Sequence, residues 1–120
     1  MSRIAPTLTC LSLLALAPLA ATASAPQKLE ECVTLSGNHS AARAGSTGLV
    51  VQDGDNHYQL DFGGSCSATT LASQVTITTA GQANTICPRG SAVTTRTHYC
   101  RVRSAVLIPA ETYQRYARRR

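Results

Sequence analysis

The fold of this chain is decided by the stretch ICPRGSAVTTRTHYCRVR, residues 86–103. Two cysteines there, Cys87 and Cys100, bracket a threonine-rich segment, and two more, Cys32 and Cys66, lie upstream. An alternating strand and a short helix are predicted at the end of the stretch and beyond it. A domain of this size buries only about 60–65 % of its unfolded surface, so its core is marginal. We therefore interpret the four cysteines as the cross-links of one small domain.

These four cysteines favour two disulfides over a metal or redox site. Zinc ligands and thioredoxin-like centres use close pairs such as Cys-x-x-Cys. Here successive cysteines are 34, 21 and 13 positions apart. Four cysteines allow three pairings. We expect Cys87 to pair with Cys100, because consecutive strands can fold back and bring the two together, and Cys32 is then left to pair with Cys66.

The N-terminal residues are typical of a cleaved signal peptide. An arginine precedes an apolar segment over residues 10–20, which contains the fifth cysteine and is shorter than the roughly 20 apolar residues that cross a bilayer. Residues 21–23 fit the small-x-small rule for cleavage, and residues 23–25 also fit it, although cleavage there would place Pro26 in the unfavourable next position. We expect a signal peptide at residues 1–23 and a single exported domain, periplasmic or extracellular, at residues 24–120, without a transmembrane span.

Short alternating segments predict a mainly β domain. The clearest is a hairpin, in which residues 48–52 lead into a turn at residues 53–56 and a return strand at residues 57–62. Apolar and polar side chains alternate in the return strand, so we expect His57, on its polar side, to be exposed. The turn has two aspartates, but it lacks the length and closing glutamate of a calcium loop.

The rest of the domain is also predicted to consist mainly of short β-strands. The other predicted strands are residues 33–35, 74–79, 84–87 and 92–97, with a loop at residues 36–46. The longest predicted strand is residues 99–108. A helix begins at Pro109, and its apolar stripe at residues 113, 116 and 117 can dock on a sheet. The sequence therefore predicts a small antiparallel barrel or sandwich with a C-terminal α-helix and two disulfides.

Basic residues supply the one hint of a partner. Residues 24–120 carry ten cationic side chains against six carboxylates, a net charge of +4. Arg101 and Arg103 project from one face of the longest predicted strand, and Arg118, Arg119 and Arg120 follow the helix. If that helix docks across the sheet, the two groups form one patch that can hold an anionic envelope component. Alternatively, the strand arginines pair with carboxylates, and the tail is a solvated helix end.

The sequence contains no motif for catalysis, for a metal or for a cofactor. The three imidazoles are His39, His57 and His98, and no Gly-x-Ser-x-Gly elbow accompanies them. We expect a non-enzymatic exported protein with a binding or structural role, and a small hydrolase is the alternative. Nucleic acid is disfavoured as a partner, because stacking platforms use two or three aromatic side chains and here Tyr99 alone is in register with the strand arginines.

A pattern of cysteines, core residues and a helix start spans nearly all of residues 24–120. Its members are Cys32, Tyr58, Leu60, Cys66, Ile86, Cys87, Cys100, Arg101, Val102, Arg103, Pro109 and Glu111. This pattern resembles a family of small exported bacterial proteins defined only as a domain of unknown function. Its strongest part is Cys-Arg-Val-Arg at residues 100–103 with the helix start, and one departure is Gly-Gly-Ser before Cys66, where such proteins often have a proline after the cysteine. The resemblance implies no activity, substrate or catalytic residue.

Overall fold

The computed structural model describes residues 25–66 and 74–118, which form short strands and one helix. The strands are β1 (Gln27–Lys28), β2 (Val33–Thr34), β3 (Ser40–Arg43), β4 (Gly48–Asp53), β5 (Asn56–Asp61), β6 (Thr76–Thr79), β7 (Gln82–Ala83), β8 (Thr85–Ile86), β9 (Ser91–Thr94), β10 (Tyr99–Arg101) and β11 (Ser104–Leu107), and the helix is α1 (Ala110–Ala117). The predicted signal peptide, residues 1–23, lies outside the described residues, as do Arg119 and Arg120.

The predicted hairpin is confirmed as the centre of a five-stranded antiparallel sheet. β4 pairs with β5 through a two-residue loop, with Asp53 opposite Asn56. Gly54 opens that loop at a φ of 60°, where a residue without a Cβ is favoured. The strand order is β1-β11-β5-β4-β3. The local sequence of the hairpin therefore fixes the register of the two strands on which the other three assemble.

The two faces of this sheet are covered by different elements. On one face, Val50 packs with Ile108 and with Tyr113 of α1. On the other face, Leu60 packs with Ile77 of a second sheet. Because successive residues of a strand point to opposite faces, the adjacent residues Val50 and Val51 are both fully buried. The molecule is thus a sandwich of two antiparallel sheets with a C-terminal helix on the outside, which confirms the predicted fold class.

The second sheet has four antiparallel strands in the order β10-β9-β6-β7. Its inner face presents Ile77, Val93 and Cys100, which are all buried. β6 turns into β7 through Ala80 and Gly81, both at positive φ, as the tightest hairpin loops require. A short extra strand, β7, pairs with β6 directly after this turn. A separate two-stranded sheet joins β2 to β8.

The longest predicted strand, residues 99–108, is divided between the two sheets. β10 pairs with β9 in the four-stranded sheet, whereas β11 pairs with β5 in the five-stranded sheet. The change occurs at two adjacent residues: the Val102 N–H donates to the Ser91 carbonyl, and the Arg103 N–H donates to the Asp61 carbonyl. The prediction of one continuous strand is therefore wrong, because the chain bends at Arg103 and crosses from one sheet to the other.

The predicted loop at residues 36–46 contains an edge strand, β3. It pairs with β4, so that Ala42 lies opposite Val50 and Ala41 opposite Val51. Small side chains such as Ala42 leave room for α1 to pack on this edge of the sheet. The local composition of serine, alanine and glycine carries no strand signal. The strand forms because its partner β4 supplies the hydrogen bonds and the apolar surface.

Two disulfides are present, but the predicted pairing of the four cysteines is wrong. Cys32 is bonded to Cys87, with 4.0 Å between their Cα atoms, and Cys66 is bonded to Cys100, at 6.2 Å. The register of β2 with β8 places Val33 opposite Ile86, so the residues just outside that pair, Cys32 and Cys87, also lie opposite each other. Cys100 instead lies within β10, opposite a residue in the middle of β9, and cannot reach Cys87.

A network of buried hydroxyl groups holds Cys87 in this position. The Thr79 hydroxyl donates to the Thr85 carbonyl at 2.8 Å and lies 2.7 Å from the Ser91 hydroxyl oxygen. The Ser91 hydroxyl oxygen in turn accepts the Cys87 N–H at 2.9 Å. These polar groups are buried but hydrogen-bonded, which avoids the cost of an unpaired group in the core. The network therefore ties β6, β8 and β9 to the first disulfide.

His57 is buried, not exposed as the alternation of its strand predicts. It is 6 % exposed, and its ring centroid lies 5.4 Å from that of Tyr113. The polar side of β5 is covered because α1 packs over it, a contact that the local pattern does not contain. The Nε2 atom of His57 is buried without a hydrogen-bond partner. An unpaired polar atom in such a site costs about 1–3 kcal/mol.

A substitution at this position tests that cost. We expect His57→Phe to raise the free energy of unfolding by about 1 kcal/mol, because an aromatic ring of similar shape remains against Tyr113 and the unpaired nitrogen is removed. Urea unfolding of the variant measures the change. His98→Phe, at an exposed loop position, is the matched control and should leave stability unchanged. A destabilised His57→Phe variant would contradict the assignment of an unpaired imidazole.

Candidate anion-binding face

The four-stranded sheet has one covered face and one face turned to solvent, which we call the outer face. Cross-strand register places its side chains in two rows. The first row is Tyr99, Thr94 and Thr76, and the second row is Arg101, Ala92 and Thr78. Their neighbours along each strand, such as Val93 and Ile77, point inward and are buried. The outer face is therefore built by the alternation of β6, β9 and β10.

Two large side chains stand at the edge of this otherwise flat surface. Tyr99 is 62 % exposed, and Arg101, two residues further along β10, is also exposed. Beside them, β9 and β6 contribute only alanine and threonine side chains, and the Thr94 hydroxyl donates to the Thr76 carbonyl at 3.1 Å. The result is a shallow shelf of methyl and hydroxyl groups, bordered on one side by an aromatic ring and a guanidinium.

The segment that forms the four-stranded sheet contains cationic side chains but no carboxylates. Residues 62–110 include four arginines, Arg89, Arg96, Arg101 and Arg103, and no aspartate or glutamate. The described part of that segment includes the whole four-stranded sheet, and none of these arginines forms an ion pair with any described carboxylate. The alternative expectation, that the strand arginines pair with carboxylates, is therefore not met. The long gap between Asp61 and Glu111 is a sequence signal that alternation alone does not reveal.

The predicted basic patch is only partly brought together. Arg101 lies on the outer face, but Arg118 follows α1, which packs on the far side of the five-stranded sheet. Arg119 and Arg120 lie outside the described residues. Docking of the helix on a sheet is confirmed, yet it covers the face opposite to the four-stranded sheet. Within the part of the chain described, Arg101 and Arg118 thus belong to opposite sides of the molecule.

Arg103 lies at the crossing between the sheets, where it borders an open groove of about 530 Å³. The groove is lined by Thr47, Asp61, Gly63, Gly64, Arg103 and Ser104. The stem of Arg103 covers Gly63 so closely that a Cβ there would lie 2.5 Å from the Arg103 Cδ atom. Gly63 also has a φ of 74°, a left-handed backbone conformation that favours glycine. The groove holds one charge of each sign and is distinct from the shelf.

A serine, a histidine and an aspartate do meet on the surface, but not in a catalytic order. The Ser36 hydroxyl and the Ser36 N–H both donate to the Asp53 carboxylate, and these bonds lower the pKa of that carboxyl group. The His39 Nδ1 atom lies 2.6 Å from the Ser36 carbonyl oxygen, not from the hydroxyl. A nucleophile requires its hydroxyl to be hydrogen-bonded to the imidazole. Here the cluster anchors the segment before β3 to the hairpin.

Two further titratable side chains, Tyr58 and His98, also interact with neighbouring groups of the fold. Burial raises the pKa of Tyr58, and the Asp53 carboxylate raises it further. The His98 Nδ1 atom lies 2.8 Å from the hydroxyl of its neighbour Thr97.

Across residues 25–66 and 74–118, no three histidine, cysteine, aspartate or glutamate side chains are grouped closely enough to hold a metal ion. No helix among those residues is long and apolar enough to cross a membrane.

Comparison of the chain with models of protein families, with curated proteins and with solved structures found no match. The resemblance to a family of small exported bacterial proteins therefore stays a prediction. Any function of the chain must be inferred from its own geometry.

Proposed function

We propose that this protein is a non-enzymatic, exported binding domain that holds an anionic envelope or extracellular component on the outer face of its four-stranded sheet. The observation that carries the proposal is the position of Arg101, exposed and without an ion pair among the described residues, beside the exposed ring of Tyr99. Two disulfides are typical of proteins that work in oxidising compartments, which supports export.

The charge distribution supports an anionic partner. Arg96, in the loop that joins β9 to β10, adds a second exposed cation beyond the Tyr99 end of β10, whereas Arg101 lies at the other end of that strand. No carboxylate interrupts residues 62–110, and Arg103, which shares its groove with Asp61, lies away from the outer face. Arginine donates paired N–H groups to carboxylate, sulfate or phosphate oxygens. An extended anionic polymer that lies along β10, at the edge of the shelf, passes both cations without displacing any protein carboxylate.

Paired charge-removing variants test this proposal. Affinity for a soluble polyanion, such as heparin or inorganic polyphosphate, is measured with the purified oxidised protein at low and physiological salt. We expect Arg96→Gln with Arg101→Gln to weaken binding about tenfold, because exposed charge contacts contribute up to about 1 kcal/mol each. Binding by the unchanged protein should fall steeply as salt is raised, since the contacts are exposed and screened.

The control removes the same charge from the opposite side of the molecule. Arg115→Gln with Arg118→Gln leaves the outer face intact and should keep nearly full affinity. A chain without residues 118–120 tests the alternative that the basic tail alone is the binding site. Equal loss from the two double variants, or binding that is indifferent to salt, would contradict a site on the outer face.

A further inference from the structure

We infer that the anionic partner is an acidic polysaccharide, a chain of sugar rings that carry carboxylate or sulfate groups. The inference rests on the proposed function and narrows its partner to one chemical class. It depends on three properties of the outer face: one exposed aromatic ring, a flat hydroxyl-lined shelf, and cations next to both. Each property matches a different part of a charged sugar polymer.

The exposed ring of Tyr99 matches the apolar face of a pyranose. Tyrosine offers a rigid apolar surface with little conformational entropy to lose, and a polar edge that remains in water. Its neighbours in the same row, Thr94 and Thr76, are short and cannot block a ligand that lies flat on the ring. The C–H groups on one side of a sugar ring can therefore contact Tyr99 while its hydroxyls face water or the threonines.

The shelf is long enough to hold more than one sugar ring. Adjacent strands are about 4.8 Å apart, and alternate residues of one strand are about 7 Å apart. The rows from β10 to β6 therefore extend across about 10 Å, which accommodates a short run of sugar rings. At the edge, Arg101 stands two residues beyond Tyr99 on the same face. A ring stacked on Tyr99 then places a carboxylate or sulfate substituent within reach of the Arg101 guanidinium.

Other polyanions lack this complementarity. A lipid surface is held by cations together with apolar side chains that insert between the headgroups, and Tyr99 is the one large apolar side chain among the described residues that is exposed. Single-stranded nucleic acid stacks successive bases on two or more aromatic side chains. The outer face presents one aromatic side chain, Tyr99. A single platform beside small hydroxyl residues favours rings that are themselves rich in hydroxyls.

Four probes test the inference, with the three anionic probes at matched charge concentration and the neutral probe at the same sugar-unit concentration as the anionic polysaccharide. They are polygalacturonate, inorganic polyphosphate, neutral dextran and vesicles of anionic phospholipid. We expect polygalacturonate to bind most tightly and dextran weakly. Tyr99→Ala should weaken polygalacturonate binding about tenfold, the effect of losing one aromatic anchor, and leave polyphosphate binding unchanged. Tyr99→Phe should bind polygalacturonate like the unchanged protein, because the stacking surface remains. Tyr99 is exposed, so these variants keep the folded core.

The outcomes separate this inference from the proposed function. If Tyr99→Ala leaves polygalacturonate binding unchanged while Arg96→Gln with Arg101→Gln weakens all anionic probes, the outer face binds anions but does not recognise sugars, and the inference is wrong. Preference for vesicles would overturn it in favour of a membrane surface. If none of the anionic probes binds, the proposed function itself is contradicted.

Discussion

Removing either disulfide is expected to lower the free energy of unfolding by about 4 kcal/mol. Cys32→Ser with Cys87→Ser opens a link between residues 55 positions apart, and Cys66→Ser with Cys100→Ser opens one between residues 34 positions apart. The loop-entropy relation assigns similar values to both, because the cost of closure grows only slowly with loop length. Urea unfolding of each double variant, compared with the oxidised protein, measures the loss.

The disulfide pairing can be determined by non-reduced peptide mapping, provided that the chain is cleaved between Cys66 and Cys87. No lysine or arginine lies between Cys66 and Cys87, so trypsin alone keeps these two cysteines in one peptide and cannot distinguish the observed pairing from Cys32–Cys66 with Cys87–Cys100. A second cleavage between them, for example after Leu71 with chymotrypsin, separates them. The expected crosslinked peptides join Cys32 to Cys87 and Cys66 to Cys100. A peptide that joins Cys87 to Cys100 would contradict the register of β2 with β8.

The second large effect is expected at the centre of the five-stranded sheet. Leu60 is fully buried, on β5, and packs among the largest apolar side chains of the core. Leu60→Ala leaves a cavity that the surrounding strands cannot fill, because β5 is fixed by β4 on one side and β11 on the other. We expect a loss of about 2–5 kcal/mol in the free energy of unfolding. A lower urea midpoint with an unchanged slope measures it.

The matched control for this cavity is Leu107→Ala. Leu107 lies on β11 of the same sheet, but it is only partly buried and packs at the margin of the core. Leu107→Ala should therefore lower the free energy of unfolding by less than Leu60→Ala does. Equal costs at the two positions, or a loss below about 1 kcal/mol at Leu60, would show that the core is not centred on the hairpin. Either result would remove the physical basis for the sandwich described above.

Local signals in the sequence predicted the elements that local chemistry controls. The hairpin follows from alternation on both sides of Asp53 and Gly54, and the helix starts after Pro109, whose fixed φ and missing N–H suit that position. The shared face of Tyr99 and Arg101 also follows from alternation and is confirmed by the register of β10. In each case, the residues that decide the outcome are neighbours in the chain.

The features that were missed depend on partners distant in sequence. β3 has no apolar pattern of its own and forms because β4 is adjacent. His57 is buried because α1 covers the polar side of β5. The disulfide pairing depends on β2 meeting β8, a contact between segments about 50 positions apart. The basic patch was predicted as one surface because alternation does not say which face of which sheet the helix will cover.

The central claim, that anions bind the outer face, is tested most directly by mapping the site in solution. Backbone amide NMR shifts of the oxidised protein are followed during titration with polygalacturonate. We predict that the largest shifts fall on Thr76, Thr94, Tyr99 and Arg101, with little change in α1. Shifts confined to the end of α1 and residues 118–120 would contradict the claim, since binding would then belong to the basic tail on the other side of the molecule.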